Sequence, residues 1–129
     1  MAGEKSEVLQ GTLDLMVLKT LHAMGYMPDE DKLIAMRIHG ATPEWMGELK
    51  QRGYEHMDLD ELIAFRIHGV SPEFIDKVQG LGYKHPEPNE LIAMRIHNVT
   101  PEYIAGLRGR GMQNLSIEQM VSLRIHGID

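Results

Sequence analysis

The sequence predicts an all-α fold, an α-solenoid-like array of short helix-turn-helix repeats that its N-terminal helix could close or complete. The octapeptide LIAFRIHG at residues 62–69 returns as LIAMRIHG at 33–40, LIAMRIHN at 91–98 and MVSLRIHG at 120–127, always 29 residues on. Self-similarity at a fixed period of this size marks stacked supersecondary units. Helix-start and helix-stop residues recur in the same phase, and the apolar residues between them follow helical spacing.

The period divides the chain into an N-terminal half-repeat, residues 1–28, and repeats at 29–57, 58–86, 87–115 and a partial 116–129, together one compact domain. The first helix of each repeat, helix A, opens on Asp29, Asp58, Glu87 or Ser116. Glu61, Glu90 and Gln119 follow three residues later and complete a capping box, with Lys32 the exception. Pro28, Met57, Pro86 and Leu115 precede the caps and can staple onto Leu33, Leu62, Leu91 and Met120. Helix A ends at His-Gly or His-Asn, the residues best suited to a left-handed C′ position.

Helix B opens at once on Thr42-Pro43-Glu44, Ser71-Pro72-Glu73 and Thr100-Pro101-Glu102. Each triplet offers a hydroxyl N-cap, a proline at N1 and an acid in the first turn. Its apolar stripe is Trp45, Met46 and Leu49, then Phe74, Ile75 and Val78, then Tyr103, Ile104 and Leu107. Gly53, Gly82 and Gly111 stop it, followed by Tyr54, Tyr83 and Met112. Helices this short do not persist alone in water, so they must stack. Helix A, apolar on nearly every side, reads as the inner, sandwiched helix, and helix B as the half-solvated outer one.

Residues 7–24 also read as a helix, with Leu9, Leu13, Met16, Val17, Leu21 and Met24 on one stripe and Gly25-Tyr26 at its end. By its ending it is a helix B lacking its helix A, whereas residues 116–129 hold a helix A lacking its helix B. An uncovered end helix exposes its apolar face. Met120 and Leu123 on the last helix, with Leu13, Met16 and Val17 on the first, are therefore the candidate interaction residues. The N-terminal helix would cover the last helix within one chain or on a neighbour, giving a dimer or a head-to-tail assembly. The alternative is that the chain is part of a longer protein.

The segment KSEVLQGTLDLMVLKTLHAMG, residues 5–25, resembles the first helix of PadR-family transcriptional regulators through Leu9-Gln10-Gly11-Thr12-Leu13-Asp14. That resemblance covers about a fifth of the chain. It implies a bacterial regulator that dimerises and binds DNA through a winged helix, but here the repeats stand where the winged helix would follow. The repeats are loosely similar to short helical repeats appended to bacterial regulatory and membrane-peptidase proteins, a likeness that implies no particular ligand.

Arg37, Arg66, Arg95 and Arg124 recur inside the apolar run. On a mostly buried helix each needs a carboxylate or carbonyl, and Glu44, Glu73 and Glu102 share their period. The other reading is a row of guanidinium groups for an anionic ligand. His39, His68, His97 and His126 sit where an imidazole can meet the last carbonyls of helix A. Their alternative, a metal site or a pH switch, needs ligands that converge on one ion, whereas one His per stacked repeat recurs at roughly 10 Å.

No cysteine is present, which excludes thiolate chemistry and disulfides. The 19 acidic and 13 basic residues, formal net charge −6, disfavour nucleic-acid phosphates and anionic membranes as partners. No phosphate loop or nucleophile motif occurs. With no signal-like segment, these features lead to the expectation of a cytoplasmic, non-enzymatic protein-interaction or scaffold module with no cofactor and no metal. Its partner is another protein or a second copy. A PadR-related regulator and an anion or metal binder are the alternatives.

Overall fold

The computed structural model describes residues 15–127. Among them lie eight α-helices and no strand: α1 (15–23), α2 (Glu30–His39), α3 (Pro43–Gln51), α4 (Leu59–His68), α5 (Pro72–Gly80), α6 (Pro88–Ile96), α7 (Pro101–Gly109) and α8 (Ile117–Ile125). The even-numbered helices are the A helices, and α3, α5 and α7 are the B helices. The chain divides into two compact units, residues 1–63 and 64–129, and the boundary falls inside α4 rather than between repeats.

The capping residues act as their chemistry requires. Thr42, Ser71 and Thr100 accept from the backbone N–H groups of Trp45, Phe74 and Tyr103 at 3.2, 3.0 and 3.0 Å. Asp58 accepts from Glu61 N–H at 2.8 Å while the Glu61 carboxylate accepts from Asp58 N–H at 3.2 Å, and Ser116 and Gln119 repeat the exchange. In α2 the Asp29 carboxylate accepts from Lys32 N–H, and the Lys32 ammonium turns instead to Asp60. At the end of α6, Asn98 takes the left-handed position at φ 59°, which Gly40 and Gly69 take at 74° and 75°. Val70 N–H then donates to Phe65 O, and Val99 N–H to Met94 O, each at 2.8 Å. Gly25 and Tyr26 close α1 as Gly53 and Tyr54 close α3, with Tyr26 N–H on Leu21 O and Tyr54 N–H on Leu49 O.

In the first unit Leu21, Met36, Trp45, Met46, Leu49, Tyr54, Met57 and Leu62 are buried. In the second, the B-helix stripes Phe74, Ile75, Val78 and Tyr103, Ile104, Leu107 are buried, together with Phe65, Leu91, Met94, Ile117 and Met120. The A helices depart from expectation. They are not enclosed on every side: Ile38, Ile67, Ile96 and Ile125 are 70%, 54%, 53% and 58% exposed. Met36, Phe65 and Met94, two residues earlier, are at most 2% exposed. Two residues along an α-helix is a rotation of about 200°, so Ile38, Ile67 and Ile96 each point away from the face that their neighbour buries.

Candidate interaction surface

Every Arg-Ile-His triplet lies at the C-terminal end of an A helix, where the last carbonyls lack partners within the helix. In the second unit the arginine of one repeat supplies a partner to the repeat before it. Arg95 on α6 donates from Nε to His68 O at 3.4 Å, and Arg124 on α8 donates from Nε and Nη2 to Asn98 O, both at 3.1 Å. The same guanidinium groups lie over the aromatic rings of the preceding B helix, Arg95 4.9 Å from the Phe74 centroid and Arg124 4.2 Å from that of Tyr103. A cation over a ring face is attracted by the ring quadrupole, and a cation at a helix C-terminus complements the macrodipole.

This corrects the acid pairing expected for Arg95. Its partners are a carbonyl and a ring, and Glu73 stands exposed in the first turn of α5. The physical reason is placement. The positive end of α5 already suits Glu73, while the negative end of α4 and the Phe74 ring lie within reach of Arg95. Glu44 and Glu102 hold the corresponding first-turn positions of α3 and α7 and are likewise exposed. The imidazoles of His68, His97 and His126 make no hydrogen bond to a described residue, and the carbonyls of His68 and Asn98 are met by arginine. His39 and Arg37 are exposed at the end of α2.

The two arginine bridges thread the C-terminal ends of α4, α6 and α8 into a row. Ile67, Ile96 and Ile125 are exposed at successive stations of it, each flanked in sequence by Arg and His. The first repeat presents the same set of residues, Arg37, Ile38 and His39, all exposed.

The interaction residues expected at the two ends fare differently. Met120 is 1% exposed, with the Tyr83 hydroxyl 3.9 Å from its sulfur, so it belongs to the core of the second unit and not to a surface. Leu123 and Val17 are half-buried, and Met16 is 61% exposed. Leu13 lies outside the described residues, as does the Leu9-to-Asp14 motif that carries the PadR resemblance.

A second regularity escaped the sequence reading. The Tyr83 hydroxyl donates to Leu115 O at 2.6 Å, and the Tyr26 hydroxyl to Met57 O at 2.7 Å. Tyr26 and Tyr83, each following a helix-stopping glycine, thus hold the residue before a later A-helix cap. Burial, then the nearby Asp58 and Glu61 carboxylates, raise the Tyr26 pKa above 10.0. The recurrent Gly-Tyr pair was the available signal. Beside Tyr26 the first unit has an open cleft of about 950 Å³, walled by Met24, Met27, Met46, Tyr54 and Met57 with Lys32, Lys50 and Asp60.

Among the described residues no three His, Asp or Glu side chains are grouped to hold a metal ion, and no helix is long and apolar enough to cross a membrane. Comparison with protein-family models, with curated proteins and with solved structures finds no significant match to this chain.

Proposed function

We propose that the chain is a non-enzymatic protein-interaction module, and that its docking face is the outward side of α4, α6 and α8 at the Arg-Ile-His triplets of the second unit. One observation carries the reading: Ile67, Ile96 and Ile125, at the same phase of three repeats of the second unit, are each more than half exposed. A single exposed apolar side chain is ordinary, but a repeated one forms a patch, and such patches mark contact surfaces. The flanking arginines have a structural role that does not require the isoleucine, so repeat stability alone does not account for it.

The test is the triple variant Ile67→Ser, Ile96→Ser, Ile125→Ser in the full chain. Each exposed position contributes within roughly 0.5 kcal/mol to stability, so the melting transition should barely move while assembly or partner binding is lost. Core isoleucines would instead cost about 2–5 kcal/mol each on such truncation, and a loss of that size would refute the reading. Light scattering separates the two kinds of partner. A wild-type mass above one chain that falls in the variant identifies a second copy; single-chain masses for both exclude one.

A further inference from the structure

We propose that copies of this chain associate head to tail, with α1 of one copy seated on α8 of another; the contact uses a surface other than the isoleucine row. Repeat phase identifies both helices. α1, residues 15–23, has the same length as α3, α5 and α7. It starts 28 residues before α3, and α3, α5 and α7 follow one another at intervals of 29. Its Gly-Tyr closure is that of α3. α1 is therefore a B helix, and among the described residues no A helix precedes it. α8 is an A helix that ends at Gly127 with φ 72°. The same left-handed turn at Gly40 and Gly69, φ 74° and 75°, leads straight into a B helix. Among the described residues no B helix follows α8.

Both helices are open where their counterparts are covered. The pairs Trp45–Met46, Phe74–Ile75 and Tyr103–Ile104 of the B helices are buried, whereas Val17 and Leu18, at that phase of α1, are only half-buried. Leu15 is exposed at the phase of Pro43, Pro72 and Pro101, none of which is exposed. On α8, Leu123 is half-buried where Met36, Phe65 and Met94 are buried. Ser122 is exposed where Ala35, Ala64 and Ala93 are half-buried. α1 differs from the other B helices in lacking a preceding A helix, and α8 from the other A helices in lacking a following B helix. Each therefore offers what the other lacks, and α2–α3, α4–α5 and α6–α7 are three examples of that succession within the chain. An uncovered repeat end is completed by stacking a further unit of the same kind. Residues 15–23 carry Lys19 and no acid, so the acids behind the formal net charge of −6 lie off this helix. The contact joins two different surfaces, which makes it heterologous and leaves each pair of copies one free α1 and one free α8.

The experiment is light scattering on two end-blocked variants of the full chain, Leu15→Lys on α1 and Ser122→Arg on α8. Both positions are exposed, so each variant should keep its helical circular dichroism and melting temperature. Should either lose them, Leu15→Ser or Ser122→Gln takes its place. The wild type should show a mass above one chain that rises with concentration, and each variant alone should associate at least about tenfold more weakly. A mixture of the two variants retains one intact α1 and one intact α8, so it should form a complex of two chains and stop there. A wild type of one chain's mass at every concentration would overturn the proposal. So would a mixture that fails to pair, or association blocked by Leu15→Lys but not by Ser122→Arg, since either means that like surfaces meet. The Ile67→Ser, Ile96→Ser, Ile125→Ser variant should keep the wild-type mass. A mass that falls in it and not in the end variants would place self-association on the isoleucine row, overturning this proposal and leaving the docking face standing.

Discussion

Replacing Arg95 by Met tests whether the repeated arginine is held by a ring and a carbonyl or by an acid. The guanidinium lies 4.9 Å from the Phe74 centroid and gives one 3.4 Å hydrogen bond to His68 O. A cation–π contact at an exposed site is worth about 0.5–1 kcal/mol, and a long bond from an exposed side chain adds at most roughly 0.5 kcal/mol. The single substitution should therefore cost about 1 kcal/mol, read as a lowered urea midpoint with an unchanged slope. A double-mutant cycle assigns the cause. Arg95→Met with Phe74→Leu should show coupling of about 0.5–1 kcal/mol, and Arg95→Met with Glu73→Gln less than about 0.3 kcal/mol. Stronger coupling to Glu73 than to Phe74 would refute the geometry, because it would mean that the acid pairing forms in solution.

Other consequences can be checked on the same preparations. Tyr83→Phe removes the 2.6 Å bond to Leu115 O and should lower stability by about 1 kcal/mol; an unchanged melting temperature would show that the bond does not hold the repeats. The raised pKa of Tyr26 means that the folded state keeps its phenol proton longer than the unfolded state. The stability linked to that proton is complete below pH 10.0 and is lost as pH rises through the folded value. Stability should accordingly fall more steeply above that pH in the wild type than in Tyr26→Phe, and parallel curves would contradict the shift. Gly69 sits at φ 75°, and an added Cβ would lie 3.1 Å from Arg95 Nη2. Gly69→Ala should cost about 1 kcal/mol, and Gly69→Asn less, since Asn98 already occupies the equivalent position.

Much of the fold was legible because it is written in punctuation. Thr42, Ser71 and Thr100 have local chemistry that works at a helix start wherever the helix later packs, and Gly40, Gly69 and Asn98 do the same at helix ends. What stayed hidden depends on direction. Phe65 and Ile67 belong to one apolar run, and an apolar run all round a helix predicts burial all round. Only the fold shows that one side is covered and the other is not. The arginine misled for a related reason. Carboxylates at the matching period were visible, whereas a carbonyl at the end of the preceding helix is a partner that every sequence possesses and none displays. The aromatic position was the better clue, since Phe74 and Tyr103 each precede their arginine by 21 residues. Met120 read as surface because it lies on the last helix; the contact with Tyr83 buries it.

The account turns on the isoleucine row being open to solvent in the single chain. Isoleucine-methyl NMR with a soluble paramagnetic probe, at a dilution where light scattering gives one chain's mass, measures this directly. Ile38, Ile67, Ile96 and Ile125 should be strongly broadened, while Ile75, Ile104 and Ile117 stay protected. Protection of the four to the level of Ile75 would contradict the account and return the Arg-Ile-His motif to the core.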